Sequence, residues 1–271
     1  MKLTQKTIKR LKNNYGDWAL VTGATSGIGK ALATRLGESG FNLVITGRRE
    51  QALQSLSTEL FDSYKIETIP ITGDLSKKED VVTLLQETDH LPIGIAVLNA
   101  GFGTSGKLIY SDIDNELNMI DLNCKSVLQM SHHFANKMLT ESRKGAIVLL
   151  SSIVAFQGVP NAANYAASKA YVQSLGEGMA RELKPLGIDV LCAAPGPVNS
   201  GFSERANMKM GMALSPDDIA APIISAIGKR NTLLPGGLTK FLVYNLRLVP
   251  RWGKVRIMEK VMAGFTKHQN G

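Results

Sequence analysis

The sequence is poor in cysteine, with two in 271 residues, and poor in aromatics, at 6%. Cys124 and Cys192 each lie inside an apolar segment without metal-like spacing, which excludes a disulfide-stapled scaffold and a Cys/His metal site. Both read as small buried hydrophobes. No run approaches the roughly 20 apolar residues of a membrane span, and the N-terminal MKLTQKTIKRLKNN lacks the apolar core of a signal peptide. A reducing, cytoplasmic setting is expected. Repeats, low-complexity tracts and linkers rich in Pro, Gly or Ser are also missing, while 44% hydrophobic residues suffice for a large core.

Acidic residues are scarce at the two ends. Residues 1–18 carry five basic and one acidic residue, and residues 229–271 carry nine basic and one acidic, giving +4 and +8. Since the whole chain is also +8, the residues between are net −4. A nucleic-acid reader would spread its basic stripe over a folded face, and no helix-turn-helix or zinc spacing occurs, so no nucleic-acid partner is expected. Basic ends around an acidic body point to an anionic surface, such as a membrane face, or to a partner chain.

What is present is alternation. Short β-rich apolar runs at 18–22, 42–46, 67–71, 94–98, 146–151 and 188–193, with a weak seventh at 232–234, alternate with helical patterns. The helices are expected at 27–38, 50–62, 77–87, 112–139, 162–184 and 216–228, the last announced by Ser215, Pro216, Asp217 and Asp218. Strands apolar along their whole length belong to a sheet covered on both faces. The expected fold is α/β, a single-domain Rossmann-type doubly wound parallel sheet of about seven strands. It spans 15–235, between a basic N-terminal segment (1–18) and a basic amphipathic extension (236–271).

After the first strand, Thr22-Gly23-Ala24-Thr25-Ser26-Gly27-Ile28-Gly29 opens directly into a helix. Gly23 permits a tight turn, Gly27 allows close approach to a pyrophosphate, and Gly29 lets helix and strand pack. The N–H groups at Thr25, Ser26 and Ile28 then face that anion at the helix start. Strand two ends in Thr46-Gly47-Arg48-Arg49. Where an NAD site places a carboxylate for the ribose 2′-hydroxyl, this chain has guanidinium groups suited to a 2′-phosphate, so NADP(H) is the expected cofactor.

Tyr165 and Lys169 stand at i and i+4 on one helix face. An ammonium beside a phenol is expected to lower the phenol's pKa from about 10 and make it a usable acid or base.

In this order and spacing the motifs resemble those of the short-chain dehydrogenases/reductases over roughly residues 15–235. Gly73-Asp74-Leu75 resembles the family's adenine-contacting segment. Leu98-Asn99-Ala100-Gly101 resembles its Asn-Asn-Ala-Gly motif, with Leu98 in place of the first Asn. Asn123 matches the asparagine that holds a water beside the lysine. Ser152, 13 residues before Tyr165, matches the catalytic serine, leaving Ser151 to face away. Pro195-Gly196-Pro197-Val198 resembles the turn beneath the nicotinamide, with Ser200 where a threonine commonly contacts the carboxamide.

The resemblance implies hydride transfer between NADP(H) and a carbonyl or secondary alcohol. Ser152 and Tyr165 would bind the oxygen, Tyr165 would transfer the proton, Lys169 would hold the nicotinamide ribose, and Asn123 would anchor a water. It also implies a homodimer or homotetramer. The lid after the nicotinamide turn holds Met208, Met210 and Met212, and Phe102, Phe156 and Val159 are expected near the same mouth, favouring a bulky apolar or lipid-like substrate. Trp252, Val255, Met258, Met262 and Phe265 recur at helical spacing among basic residues, which suits either a membrane interface or packing over the active site or another subunit. The other function class weighed is an NADP-binding sensor or scaffold working through its basic ends; a chain of that kind would be free to lose Tyr165 or Lys169, and this one retains both.

Overall fold

Seven apolar runs pair into one sheet in the order β3-β2-β1-β4-β5-β6-β7. The computed structural model describes residues 2–209, 211, 213–246 and 248–269. The strands are β1 (Trp18–Thr22), β2 (Asn42–Gly47), β3 (Thr68–Thr72), β4 (Ile93–Leu98), β5 (Gly145–Leu150), β6 (Ile188–Ala193) and β7 (Thr232–Leu233), all within two residues of expectation. Every pairing is parallel. β4 and β5 are buried along their whole length because helices cover both faces. Pro70, which cannot donate to a ladder, is confined to the edge strand β3.

The helices are α1 (Gln5–Tyr15), α2 (Gly27–Glu38), α3 (Glu50–Tyr64), α4 (Lys78–Glu87), α5 (Ile113–Ile120), α6 (Ser126–Thr140), α7 (Ala163–Leu183), α8 (Phe202–Arg205), α9 (Pro216–Ala226), α10 (Gly237–Leu246) and α11 (Arg251–Phe265). The order in which strands are added reverses between β1 and β4. The crevice beyond the carboxyl ends of these strands is where open α/β folds bind ligands.

Three elements depart from expectation. The basic N-terminal segment folds as α1, capped by the Thr4 side chain, and its Leu11 and Tyr15 enter the core. Burying Leu11 alone stabilises by about 2 kcal/mol. Tyr15 donates a 2.6 Å hydrogen bond to Asp189 Oδ2, and Arg10 donates to the Ile227 carbonyl at 2.6 Å, so α1 is tied to the far side of the sheet. The single helix expected at 112–139 is instead α5, one π-helical turn (Asp121–Lys125), and α6. Hydrophobic periodicity does not announce such an insertion, and these turns recur at functional sites. Finally, the C-terminal extension forms α10 and α11, and among the described residues no helix is long and apolar enough to cross a membrane.

The start of α9 follows its sequence signal: Asp218 N–H donates to Ser215 Oγ and Ser215 N–H to Asp218 Oδ2, both at 3.2 Å. Both cysteines are buried and unpaired.

Candidate active site

The carboxyl ends of β1, β4, β5 and β6 each deliver one loop to a single cavity of about 870 Å³. At the end of β1, Gly23 and Gly27 adopt φ of +66° and +55°, a region that side chains with a Cβ rarely enter. A Cβ on Gly23 would stand 3.0 Å from Ala100 Cα, one on Gly27 2.8 Å from Ser200 Cβ, and one on Gly29 would collide with the Gly23 carbonyl oxygen. The turn is therefore compressed against β4 on one side and the loop after β6 on the other. Ser26, the N-cap of α2, makes no side-chain capping bond, so the first N–H groups of α2 face the cavity.

Asn99 fixes this turn in place. Its Nδ2 donates to the Thr22 carbonyl at 2.9 Å and to that of Gly23 at 3.3 Å, while the Asn99 and Ala100 N–H groups both donate to Thr22 Oγ1 at 2.9 Å. Leu98, where the family motif has its first Asn, is buried. At the rim, Arg49 donates to the Thr25 carbonyl at 3.1 Å, and Asp74 Oδ1 accepts from Ser76 N–H and Oγ.

The reactive end is built by β5 and α7. Ser152 and Ser151 diverge, as alternation along a strand requires. Ser151 Oγ donates to the Lys169 carbonyl at 3.1 Å, while Ser152 Oγ accepts from Val154 N–H at 3.4 Å and lines the cavity with Tyr165. Tyr165 and Lys169 are buried, and Lys169 Nζ lies 6.0 Å from the Tyr165 ring centroid and donates to the Leu150 carbonyl at 2.8 Å.

The expected depression of the Tyr165 pKa is not found. The physical reason is burial, which pushes Tyr165 up to about 12 while Ser152 works in the opposite direction. Lys169 donates to the Leu150 carbonyl, and burial pushes its own pKa down to about 8.

Every expected cofactor residue lines the cavity: Gly23, Thr25 to Gly29, Arg48, Arg49, Asp74, Leu75, Asn99 to Gly101, Tyr165, Lys169, Pro195, Gly196, Val198 and Ser200. Ser152 lines it too. Asn123 is the exception and sits behind the wall. Its Oδ1 accepts from Phe102 N–H at 3.1 Å, and its Nδ2 donates to the Phe102 carbonyl at 2.8 Å and to Ser168 Oγ at 3.0 Å. Both amide protons are thus used to clamp the loop after β4 against α7. The π-helical turn is what aims Asn123 at that loop.

Of the residues expected at the mouth, Phe102 and Met208 line the cavity, whereas Phe156 does not and Val159 is buried in the core. Met210 and Met212 lie outside the described residues. The far wall comes from the C-terminal extension: Leu242, Leu246, Ile257, Met258, Met262 and Phe265. The helical spacing of Met258, Met262 and Phe265 was legible in the sequence, but which surface they cover was not. Trp252, counted on the same stripe, is instead 68% exposed. Among the described residues no cluster of His, Cys, Asp and Glu could hold a metal.

A glycine cradle at a helix start, open on one side to buried Ser, Tyr and Lys side chains, defines a dinucleotide-dependent oxidoreductase site on a Rossmann-type sheet. The family model described as short chain dehydrogenase matches residues 17–211, and the chain belongs to that family. It is 28% identical over 242 residues to a 7beta-hydroxysteroid dehydrogenase of Collinsella aerofaciens, covering 87% of this chain and 92% of that protein. The solved structure of a 7beta-hydroxysteroid dehydrogenase superposes with a TM-score of 0.84 at 27% identity, over 92% of this chain and 98% of the other. A short-chain dehydrogenase from Sphingobium yanoikuyae in complex with NADPH gives 0.77 at 25% identity, over 85% and 93%.

Proposed function

We propose that this protein is an NADP(H)-dependent reductase of bulky apolar ketones, steroid-like in size, with Tyr165 as the proton donor. The observation that carries the reading is the union of three features in one cavity: the glycine cradle rimmed by Arg48, the buried Ser152, Tyr165 and Lys169, and the apolar wall of α10 and α11. The residues fit a dinucleotide because the cradle tolerates no Cβ at Gly27 or Gly29 and lies at the start of α2. Arg48 in place of a carboxylate at the end of β2 favours the 2′-phosphate.

The nicotinamide, when bound, supplies the hydride. The chain's own contribution is to the oxygen. As charge grows on it, the buried Ser152 and Tyr165 hydroxyls would donate to it in a water-poor site, where donors count for more than in solution. Tyr165 holds its proton firmly through neutral pH, the state required of an acid in carbonyl reduction. Lys169 supplies positive charge beneath the phenol, and Asn123 fixes the loop that closes the cavity behind it. Met258, Met262 and Phe265 give an apolar far wall to a cavity of about 870 Å³ that cofactor and substrate would share. The relatives acting on hydroxysteroids support a bulky apolar substrate.

Two surfaces bear on partners. Exposed Leu108, Ile109, Tyr110, Ile113 and Leu117 form an apolar strip suited to a second copy of the chain. Phe241, Leu248 and Trp252 stay exposed beside Lys240, Arg251 and Arg256, a composition suited to an anionic lipid surface. The central reading is tested by NADPH oxidation across a panel of steroid ketones, 3-oxoacyl thioesters and short polar ketones; preference for the short polar ketones would refute it.

A further inference from the structure

α8 presents its last residue, Arg205, to the opposite side of the cavity. The guanidinium carbon lies 3.7 Å above the ring centroid of Phe102, in the loop after β4. Arg205 lines the same cavity as Arg48 at the end of β2 and Asp74 after β3. Burial is the main influence lowering its pKa, with Arg48 acting the same way and Asp74 opposing.

The backbone that carries it is held on both flanks. Ser105 Oγ donates to the Ala206 carbonyl at 2.5 Å, Gln269 Nε2 donates to that of Asn207 at 2.5 Å, and Lys209 N–H donates to that of Phe265 at 3.0 Å. The backbone after α8 is thus held in place, and the Arg205 guanidinium rests on the Phe102 ring. Among the described residues neither Arg48 nor Arg205 forms a salt bridge. Asp74, a carboxylate lining the same cavity, already accepts from Ser76 through Oδ1. Three guanidinium groups, Arg48, Arg49 and Arg205, line the cavity together with the carboxylates of Asp74 and Glu204, and the excess of positive charge is complementary to a multiply charged anion.

We infer that Arg205 is a cofactor-specificity residue: it closes with Arg48 on the adenosine 2′-phosphate of NADP(H) and so couples recognition of that phosphate to closure of α8 over the site. The inference rests on the NADP(H) reading above and adds a phosphate ligand from the lid, remote in sequence from β2. It also explains why the tip of the lid is stitched to the C-terminus: the arginine must be held over the rim for the phosphate to find it. Phe102 serves as its platform, stacking on the face of the guanidinium and leaving the N–H edge free for oxygen.

The test is equilibrium binding of NADPH, NADH and 2′,5′-ADP to the full-length protein and to Arg205→Ala, Arg205→Lys and Arg48→Asp, read by fluorescence and calorimetry without turnover. Loss of a charge-assisted bidentate contact to phosphate is expected to weaken NADPH and 2′,5′-ADP by about tenfold or more, with NADH changed less than twofold and Arg205→Lys in between. Protection of 201–209 from proteolysis by NADPH is expected in the wild type and lost in Arg205→Ala. If Arg205→Ala binds NADPH like the wild type while Arg48→Asp does not, the role of Arg205 is overturned and the cofactor reading stands. Equal weakening of NADPH and NADH also overturns it. If the wild type binds NADH as tightly as NADPH, both fall.

Discussion

Phe202 stands over the Tyr165 ring at 5.2 Å between centroids and 46° between planes, so the first residue of α8 covers a face of the phenol. The lid thus touches both halves of the site, through Phe202 at the phenol and Arg205 at the Phe102 ring. This contact keeps water from Tyr165, and burial is the largest influence on its pKa.

Replacing Tyr165 by Phe removes the proton donor and keeps the ring that packs against Phe202. The expected outcome is a loss of kcat of about 10²–10⁴-fold with NADPH affinity changed less than twofold. Stopped-flow oxidation of NADPH and equilibrium fluorescence on the same preparation check both halves of the statement.

The pH profile follows from two buried groups. Tyr165 keeps its proton up to about 12, so carbonyl reduction at pH 7 is expected to outrun alcohol oxidation, and oxidation is expected to rise toward high pH. Lys169 is held down to about 8, so the positive charge beside the phenol is present below that pH and lost above it. Reductive kcat/KM is expected to decline as pH rises through about 8. Lys169→Arg, which cannot lose its charge in this range, is expected to flatten that decline.

Lys169 also carries a stability consequence. Between about 8 and its ordinary 10.5 the unfolded chain binds a proton that the folded chain does not, so the cost of burying the ammonium is full below pH 8 and fades as pH rises toward 10.5. Lys169→Met is expected to raise Tm at pH 7 and to lose that advantage toward pH 10. Thermal unfolding at several pH values checks the sign.

Gly29 is expected to tolerate no side chain. A Cβ there would strike the Gly23 carbonyl oxygen and approach Asn99 Nδ2 at 2.5 Å, so Gly29→Ala must displace the turn that Asn99 holds. The expected cost is about 1–3 kcal/mol of stability together with loss of NADPH binding. Chemical denaturation and equilibrium binding measure the two effects separately.

The apolar wall is addressed by Met262, buried against the core and lining the cavity. Met262→Trp is expected to raise KM for steroid-sized ketones at least several-fold while leaving small ketones nearly unchanged. A KM series over ketones of increasing size checks it.

The strands, the glycine turn and the residues delivered by each strand end could be read from the sequence because each depends on local order: an apolar run, then a glycine or serine at fixed offset. Asn123 could be named from its motif, but its position behind the cavity wall could not, because it depends on a π-helical turn that leaves little trace in periodicity. The Tyr165–Lys169 pair was correctly placed on one face, yet its electrostatics were misjudged, since burial outweighs neighbouring charge and burial is a tertiary property. Arg205 carried no local signal at all. Its significance arises only when α8 brings it over Phe102, about a hundred residues earlier in the chain.

The central claim is that Tyr165, at the end of a dinucleotide cleft with an apolar far wall, protonates a bulky ketone. The most direct measurement is steady-state NADPH oxidation with a steroid ketone by the wild type and Tyr165→Phe, side by side. The account predicts turnover by the wild type and none above background by a folded, NADPH-binding Tyr165→Phe; equal turnover by the two would contradict it.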